Sequence, residues 1–131
     1  MTTLPFKIVK QPRAWWPVAW PGVAEDGGIV DNRIELRMRL LKVDEAGQFI
    51  RDAMQAAKRE GDEGVDLAAI YADLVARIAD DWRNVHAENG EPLPWNAANL
   101  RLLMNEPNMF THVFRAFRAC LAGQSGIREG N

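Results

Sequence analysis

The feature that most constrains the fold is a change in hydrophobic period after residue 43. From Arg33 to Leu40 charged and apolar residues alternate strictly, which is the pattern of a strand with one buried and one solvated face. After Asp44 apolar residues recur at helical spacing, at Phe49, Ile50, Ala53, Met54 and Ala57. The sequence therefore predicts an α+β fold, with an N-terminal antiparallel β-hairpin or small sheet followed by a bundle of three to four α-helices.

Two segments before the alternating run are also predicted as strands. Phe6–Val9 is long enough for a short strand, and Ala14–Trp20 is rich in aromatic and β-branched residues. Pro17 interrupts the second segment and Pro21 closes it. Because proline cannot donate to the ladder, we expect an edge strand there. Residues 25–28, with two adjacent glycines, are a turn signal that predicts a hairpin.

The first two helices have recognisable ends. The first is predicted over Glu45–Glu60, with Asp44 as its N-cap and Gly61 as its stop. The second begins near Asp66 and is ended by the glycine and two prolines of residues 88–94. We expect it to be the central core helix, because it carries a continuous apolar stripe: Leu67, Ile70, Tyr71, Leu74, Ile78 and Trp82.

Two further helices complete the predicted bundle. Asn96 is the expected N-cap of a short helix over Ala97–Asn105. Pro107 opens the last helix and Gly123 ends it. Residues 1–123 are thus predicted to form a single α+β domain, with a β ribbon at 1–43 and a helical part at 44–123. Residues 124–131 are expected to be a flexible C-terminal tail.

Composition excludes several classes of protein. A chain of 131 residues with 47% hydrophobic and 26% charged residues has the make-up of one globular domain. Its net charge of −2 gives no footprint for nucleic acid. We expect no secretory signal and no membrane span, because no segment approaches the roughly 20 apolar residues that a span needs. One cysteine allows no disulfide within the chain and fits a reducing cytosol.

No residue pattern predicts catalysis. Cys120 is expected to be a small core residue, and His86 and His112 stand in no spaced metal motif. Asp80 and Asp81 are interpreted as part of a solvated helix end. We therefore predict no catalytic residue, no metal and no cofactor. An enzyme that uses either histidine with nearby carboxylates is the weaker alternative.

Five residues are candidates for protein binding. Trp15, Trp16 and Trp20 crowd into a proline-bounded segment, and exposed tryptophans often mark interfaces. The alternative is that they cover the sheet or the helices, because one face of a strand must point inward. Arg37 and Arg39 could hold an anionic partner, or could simply belong to a solvated sheet face.

Two stretches of the chain follow a recognisable order of motifs. The first is Trp16-Pro17-Val18, leading through Asp26-Gly27-Gly28 into the alternating run Arg33–Leu41. The second is Asp81-Trp82, Asn89-Gly90-Glu91-Pro92-Leu93-Pro94-Trp95, Asn96, Asn99-Leu100, Leu103-Met104, Pro107 and the aromatic segment Phe110–Leu121. This order resembles the tail assembly chaperones of tailed bacteriophages and prophages, except that Trp95 stands where a phenylalanine is expected.

The resemblance implies a protein-binding function in the host bacterial cytoplasm. Such chaperones bind the tape measure protein, keep its apolar helices from aggregating and help to recruit the major tail protein. They are absent from the mature virion. Self-association is also expected, because a client many times longer must be covered by several copies. A minor structural or head-tail connector protein of the phage is the alternative, since it would have the same small α+β design.

Overall fold

The computed structural model describes residues 3–123, and its first regular element is a β-hairpin. Strands β1 (Arg13–Val23) and β2 (Ile29–Arg39) pair antiparallel along their whole length. In the turn the Asp26 carboxylate accepts the Gly28 N–H at 2.8 Å. Gly27 has a φ of +87°, a conformation in which glycine is favoured. The predicted hairpin and the α+β fold class are confirmed.

β1 is an edge strand, and its two prolines lie where a missing N–H matters least. The Leu40 N–H donates to the Pro12 carbonyl at the open end of the hairpin, so the even-numbered residues of β1 point their backbone groups at β2. Pro17 and Pro21 are odd-numbered and therefore face the free edge. The edge prediction is confirmed, and the strand runs through both prolines to Val23. The two absent donors hinder another strand from pairing there.

A third strand lies where the sequence predicted a helix. Helix α2 ends at Ile78, and β3 (Ala79–Arg83) follows at once and pairs antiparallel with β2. Trp82, predicted to lie on the central helix, is in this strand. A bulge in β3 sets the three residue positions from Ala79 to Trp82 against only two positions of β2. Ala79 and Trp82 therefore both pair with buried residues of β2, Met38 and Leu36. Two buried residues three positions apart are also typical of a helix, and this spacing explains why Trp82 was wrongly predicted to be helical.

The four helices of the described residues are α1 (Val43–Ala57), α2 (Leu67–Ile78), α3 (Ala97–Met104) and α4 (Met109–Ala122). Asp66 caps α2 by accepting the Ala69 N–H, and Asn96 caps α3 by accepting the Asn99 N–H. The Asn96 cap is as predicted, and α2 begins next to Asp66, also as predicted. Gly123, in the left-handed conformation, ends α4 as predicted.

The ends of the first and last helices differ from the prediction. Asp44 is not the N-cap of α1: the helix begins one residue before it, and the Glu45 carboxylate accepts the N–H of Lys42. α1 also ends at Ala57, before the turn that holds Gly61. α4 begins two residues after Pro107, since Asn108 has a positive φ and cannot be helical.

The predicted strand at Phe6–Val9 is wrong. Residues 3–12 form no regular structure, and the side chains of Phe6 and Ile8 are 90% and 88% exposed. β2 offers these residues no partner, because its pairing with β1 ends near Leu40 and the chain then turns into α1 at Val43. A strand-like sequence is therefore left without regular structure, and its apolar side chains are uncovered.

The core lies between the inner face of the sheet and the helices. Its fully buried side chains come from both layers: Val18, Leu36 and Met38 from the sheet, and Phe49, Val75, Ile78, Val113 and Phe117 from the helices. Within residues 3–123, no helix has the length and apolar character that crossing a membrane requires. The predicted tail at 124–131 lies outside the described residues.

Candidate protein-binding surfaces

Strand alternation sends the three candidate tryptophans to opposite faces of the sheet. Trp16 points inward and is only 7% exposed. Trp20, on the same face, is half-buried and stacks on the His112 ring of α4, with centroids 5.6 Å apart. Trp15 points outward. Trp16 is therefore part of the core and Trp20 helps to seal the contact with α4, so that Trp15 alone belongs to the outer face.

On the outer face of the sheet three arginines surround one carboxylate. The Asp80 carboxylate receives Arg37 Nε at 2.6 Å and Arg13 Nε at 2.7 Å, with Arg39 Nε at 3.9 Å. The hydrogen bond to Asp80 raises the pKa of Arg37. The Nη1 of Arg39 also donates to the carbonyl of Ala76. The predicted arginines are thus brought together, but each already has a partner within the chain.

The Trp15 side chain also has a partner within the chain. The guanidinium of Arg83, from β3, lies 3.7 Å from the centroid of the Trp15 ring, at cation–π distance. The two side chains reach toward each other across β2, where Trp15 has Arg37 as its register partner. The outer face is therefore a self-paired polar layer, and a partner would have to displace internal contacts in order to bind there.

A second surface is an apolar depression between α1 and α4, closed on one side by α2, which we call the aromatic groove. Its volume is about 230 Å³, and its principal lining residues are Met54, Ala57, Glu60, Tyr71, Phe110 and Phe114. The rings of Tyr71 and Phe110 are stacked 4.2 Å apart and form its wall. Burial, and then the negative charge of Glu60, raise the pKa of the Tyr71 hydroxyl.

The apolar residues of the first helix contain a faint signal for the aromatic groove. Helical spacing groups Met54 and Ala57 with Phe49, yet Phe49 is fully buried and Met54 is 60% exposed. The apolar residues of α1 in fact cover more than one face, since Val43 is also almost fully exposed. An apolar surface wider than one stripe is typical of a helix that offers a second contact.

A third surface is the leading arm, residues 3–12, which precedes β1. Its most exposed apolar side chains are Leu4, Phe6 and Ile8, which are between 76% and 90% exposed, and Val9 is 50% exposed. The arm is attached to the domain near its end, where Lys42 Nζ donates to the Val9 carbonyl. Contiguous exposed apolar residues of this kind mark sites of protein contact more often than isolated ones do.

Of the groups considered for catalysis, Asp80 and Asp81 lie in β3 and not at a solvated helix end, and Asp80 is the carboxylate of the arginine cluster. Cys120 and His86 lie apart from the three surfaces. Cys120 is buried in α4, and burial raises the pKa of its thiol to about 11, which keeps it in the unreactive neutral form. His86 Nδ1 lies 3.0 Å from the Gly90 carbonyl in the loop after β3. Across residues 3–123, no group of three or more His, Cys, Asp or Glu side chains is placed to hold a metal ion.

His112 predicts a pH dependence of stability. Burial, and then the charge of Arg115, lower its pKa below the ordinary value of 6.5. The unfolded state therefore takes up a proton at a higher pH than the folded state does, and the free energy of unfolding falls as the pH drops through 6.5 toward the lowered pKa. The stack with Trp20 would survive in His112→Phe, which cannot titrate.

We expect His112→Phe to lose less stability than the parent protein between pH 7 and pH 5, measured as the change in free energy of urea unfolding. The substitution also removes Nδ1, a buried nitrogen that has no hydrogen-bond partner among residues 3–123. Equal losses in the two proteins over this interval would show that His112 does not contribute to the pH dependence.

The motifs that resemble the phage chaperones have structural roles in this chain. Trp82 Nε1 donates to the Leu93 carbonyl at 2.7 Å, and the Trp82 and Trp95 rings meet edge to face at 5.1 Å. Asn99 holds the same loop to α3 by donating from its side chain to the Pro94 carbonyl.

No protein-family model, curated protein or solved structure matches the chain.

Proposed function

We propose that this protein is a tail assembly chaperone of a tailed phage or prophage, which binds the tape measure protein in the host cytoplasm and is absent from the virion. Its work is binding rather than catalysis. The order of motifs from Asp81 to Leu121 motivates the proposal. The structural observation that carries it is the aromatic groove, an open apolar surface between α1 and α4.

The aromatic groove suits an amphipathic helix of a polypeptide client. A helix of this type binds by placing a few apolar side chains in a groove. The volume of about 230 Å³ has room for such side chains, but it is smaller than the roughly 300 Å³ at which small-molecule sites begin. Met54 adds a flexible, polarizable side chain, which adapts to different apolar partners.

A weak groove serves this function if several copies act together. One copy covers only a short part of a long helical client, so tight coverage requires several copies bound side by side. The client must also be released during assembly, which modest affinity at each groove permits. We therefore include self-association and contact with the major tail protein in the proposal.

Co-expression with the long helical protein encoded downstream tests the proposal. We expect the parent chain to keep this client soluble and to co-purify with it. Met54→Lys should reduce the recovered client at least tenfold, because it places a charge in the apolar groove. Gln55→Lys is the matched control, since it adds the same charge to the neighbouring exposed position of α1, outside the aromatic groove.

Two results would contradict the proposal. One is the absence of a complex when the client is independently soluble, and the other is equal recovery with the two lysine variants. Mass spectrometry of purified particles makes a separate test. Abundant copies of this chain in the particles would identify it as a minor structural or head-tail connector protein.

A further inference from the structure

One chain carries two uncovered apolar surfaces, the leading arm and the aromatic groove. The arm exposes Leu4, Phe6 and Ile8, while the groove exposes Met54 and the edges of its aromatic wall. Water contact with both surfaces is unfavourable, and burying one against the other would remove both from solvent. The arm is therefore a candidate occupant of the groove.

The side chains of the arm suit an apolar groove that has an acidic residue at its rim. In an extended chain Leu4, Phe6 and Ile8 lie on one side, and Lys7 lies on the other. Such a chain inserts alternate side chains into a groove and leaves its charges at the rim. The rim carries a negative charge at Glu60, which faces the Tyr71 side of the groove.

The point at which the arm leaves the domain decides which groove it can reach. Gln11 borders a depression beside Glu45 and Gln48, on one flank of α1. At 100° per residue, Met54 and Ala57 lie about 180° around the helix from that flank. To enter the groove of its own chain, the arm would have to pass around α1, which is roughly 10 Å across. The Val9 carbonyl is held by Lys42, and the three residues from Val9 to Phe6 span only about 10 Å, which is less than half the circumference of the helix. A second copy presents its groove without this obstacle.

We propose that the leading arm of one copy docks in the aromatic groove of a second copy. Leu4, Phe6 and Ile8 share the contact with the groove, so that replacing one of them leaves two in place. Reciprocal exchange then forms a two-fold dimer in which both arms and both grooves are covered. The docking requires no client. As a consequence that does rest on the proposed function, a client helix displaces the arm, so that the groove stays covered until the client arrives.

Site-specific disulfide cross-linking tests the docking. A Phe6→Cys chain and a Met54→Cys chain of different tag length are mixed under mild oxidation. We expect a covalent heterodimer that contains one chain of each kind. Native Cys120 can stay in place, because it is buried in the domain. Gln55→Cys replaces Met54→Cys in the control, and it should give at least fivefold less heterodimer.

The outcomes separate the possible arrangements. Equal cross-linking at positions 54 and 55, or none at either, would overturn the proposal. So would a predominantly intramolecular bond in a Phe6→Cys/Met54→Cys double variant, because it would place the arm in its own groove. Addition of client should reduce the heterodimer. Cross-linking that forms without client but resists its addition supports the docking and contradicts only the displacement.

Sedimentation of a Phe6→Ser/Ile8→Ser variant gives a second measurement. We expect its dimer dissociation constant to rise at least tenfold. Both side chains are almost fully exposed in the single chain, so the substitutions should leave the fold unchanged. Lys10→Ser is a control in the same arm, next to the attached residue Val9. An unchanged dissociation constant in the double variant would overturn the proposal.

Discussion

We expect Trp82→Ala to lower the free energy of unfolding by about 3–5 kcal/mol, the usual cost of truncating a buried large aromatic side chain. Trp82 is 7% exposed and lies opposite Leu36 in the sheet. Its indole also fixes the loop that leads to α3, through the hydrogen bond to the Leu93 carbonyl and the contact with Trp95. One substitution therefore weakens the third strand and the loop together.

Urea unfolding, followed by far-ultraviolet circular dichroism, measures this effect. Trp82→Phe keeps most of the buried ring but loses the donor to Leu93, so we expect an intermediate loss of about 1–2 kcal/mol. Trp15→Ala is the matched control in the same sheet, because Trp15 is half-buried on the outer face and contacts the guanidinium of Arg83 rather than the core. A Trp82→Ala loss no larger than that of Trp15→Ala would contradict the assigned role.

The parts of the fold that the sequence predicts correctly depend on local signals. The turn between β1 and β2 needs a glycine at the positive φ of Gly27, and the next residue bonds to Asp26. Asp66 and Asn96 cap their helices with their own side chains, so the sequence shows where each helix begins. These structures require only residues within a few positions of one another.

The third strand could not be predicted in this way, because its evidence lies in the tertiary pairing. The bulge in β3 puts Ala79 and Trp82, three residues apart, on the side that meets Met38 and Leu36. In sequence the same spacing is indistinguishable from one turn of helix. Only the uncovered long edge of β2 explains why the chain becomes a strand after Ile78.

The positions of the candidate tryptophans and arginines could be predicted only in part. Period-two alternation already implies that Trp16 cannot share a face with Trp15, and the structure buries Trp16. The pairing of Arg37 with Asp80 joins residues 43 positions apart, so no local pattern reveals that the arginines are already engaged. The aromatic groove is likewise formed by three helices, and its existence depends on how α1 packs.

That packing depends on one large side chain. The buried residues of α1 are Phe49 and two alanines, Ala53 and Ala56. Phe49 is fully buried, lies edge to face with Phe117 at 5.2 Å and stacks with Phe114 at 6.0 Å. Alanines bury little apolar area and Ile50 is only half-buried, so the phenylalanine is the largest buried contact between α1 and the domain.

We therefore expect Phe49→Ala to cost about 3–5 kcal/mol of unfolding free energy and to release α1 before the rest of the domain. In native-state hydrogen exchange, the amides of α1 should lose protection while those of α2 keep theirs. The aromatic groove loses one wall when α1 detaches, so client recovery and Phe6 cross-linking should fall together. Phe49→Leu fills most of the same space, so it should keep the protection of α1, the client recovery and the cross-linking. If α1 stays protected in Phe49→Ala, the helix is held by contacts other than this ring.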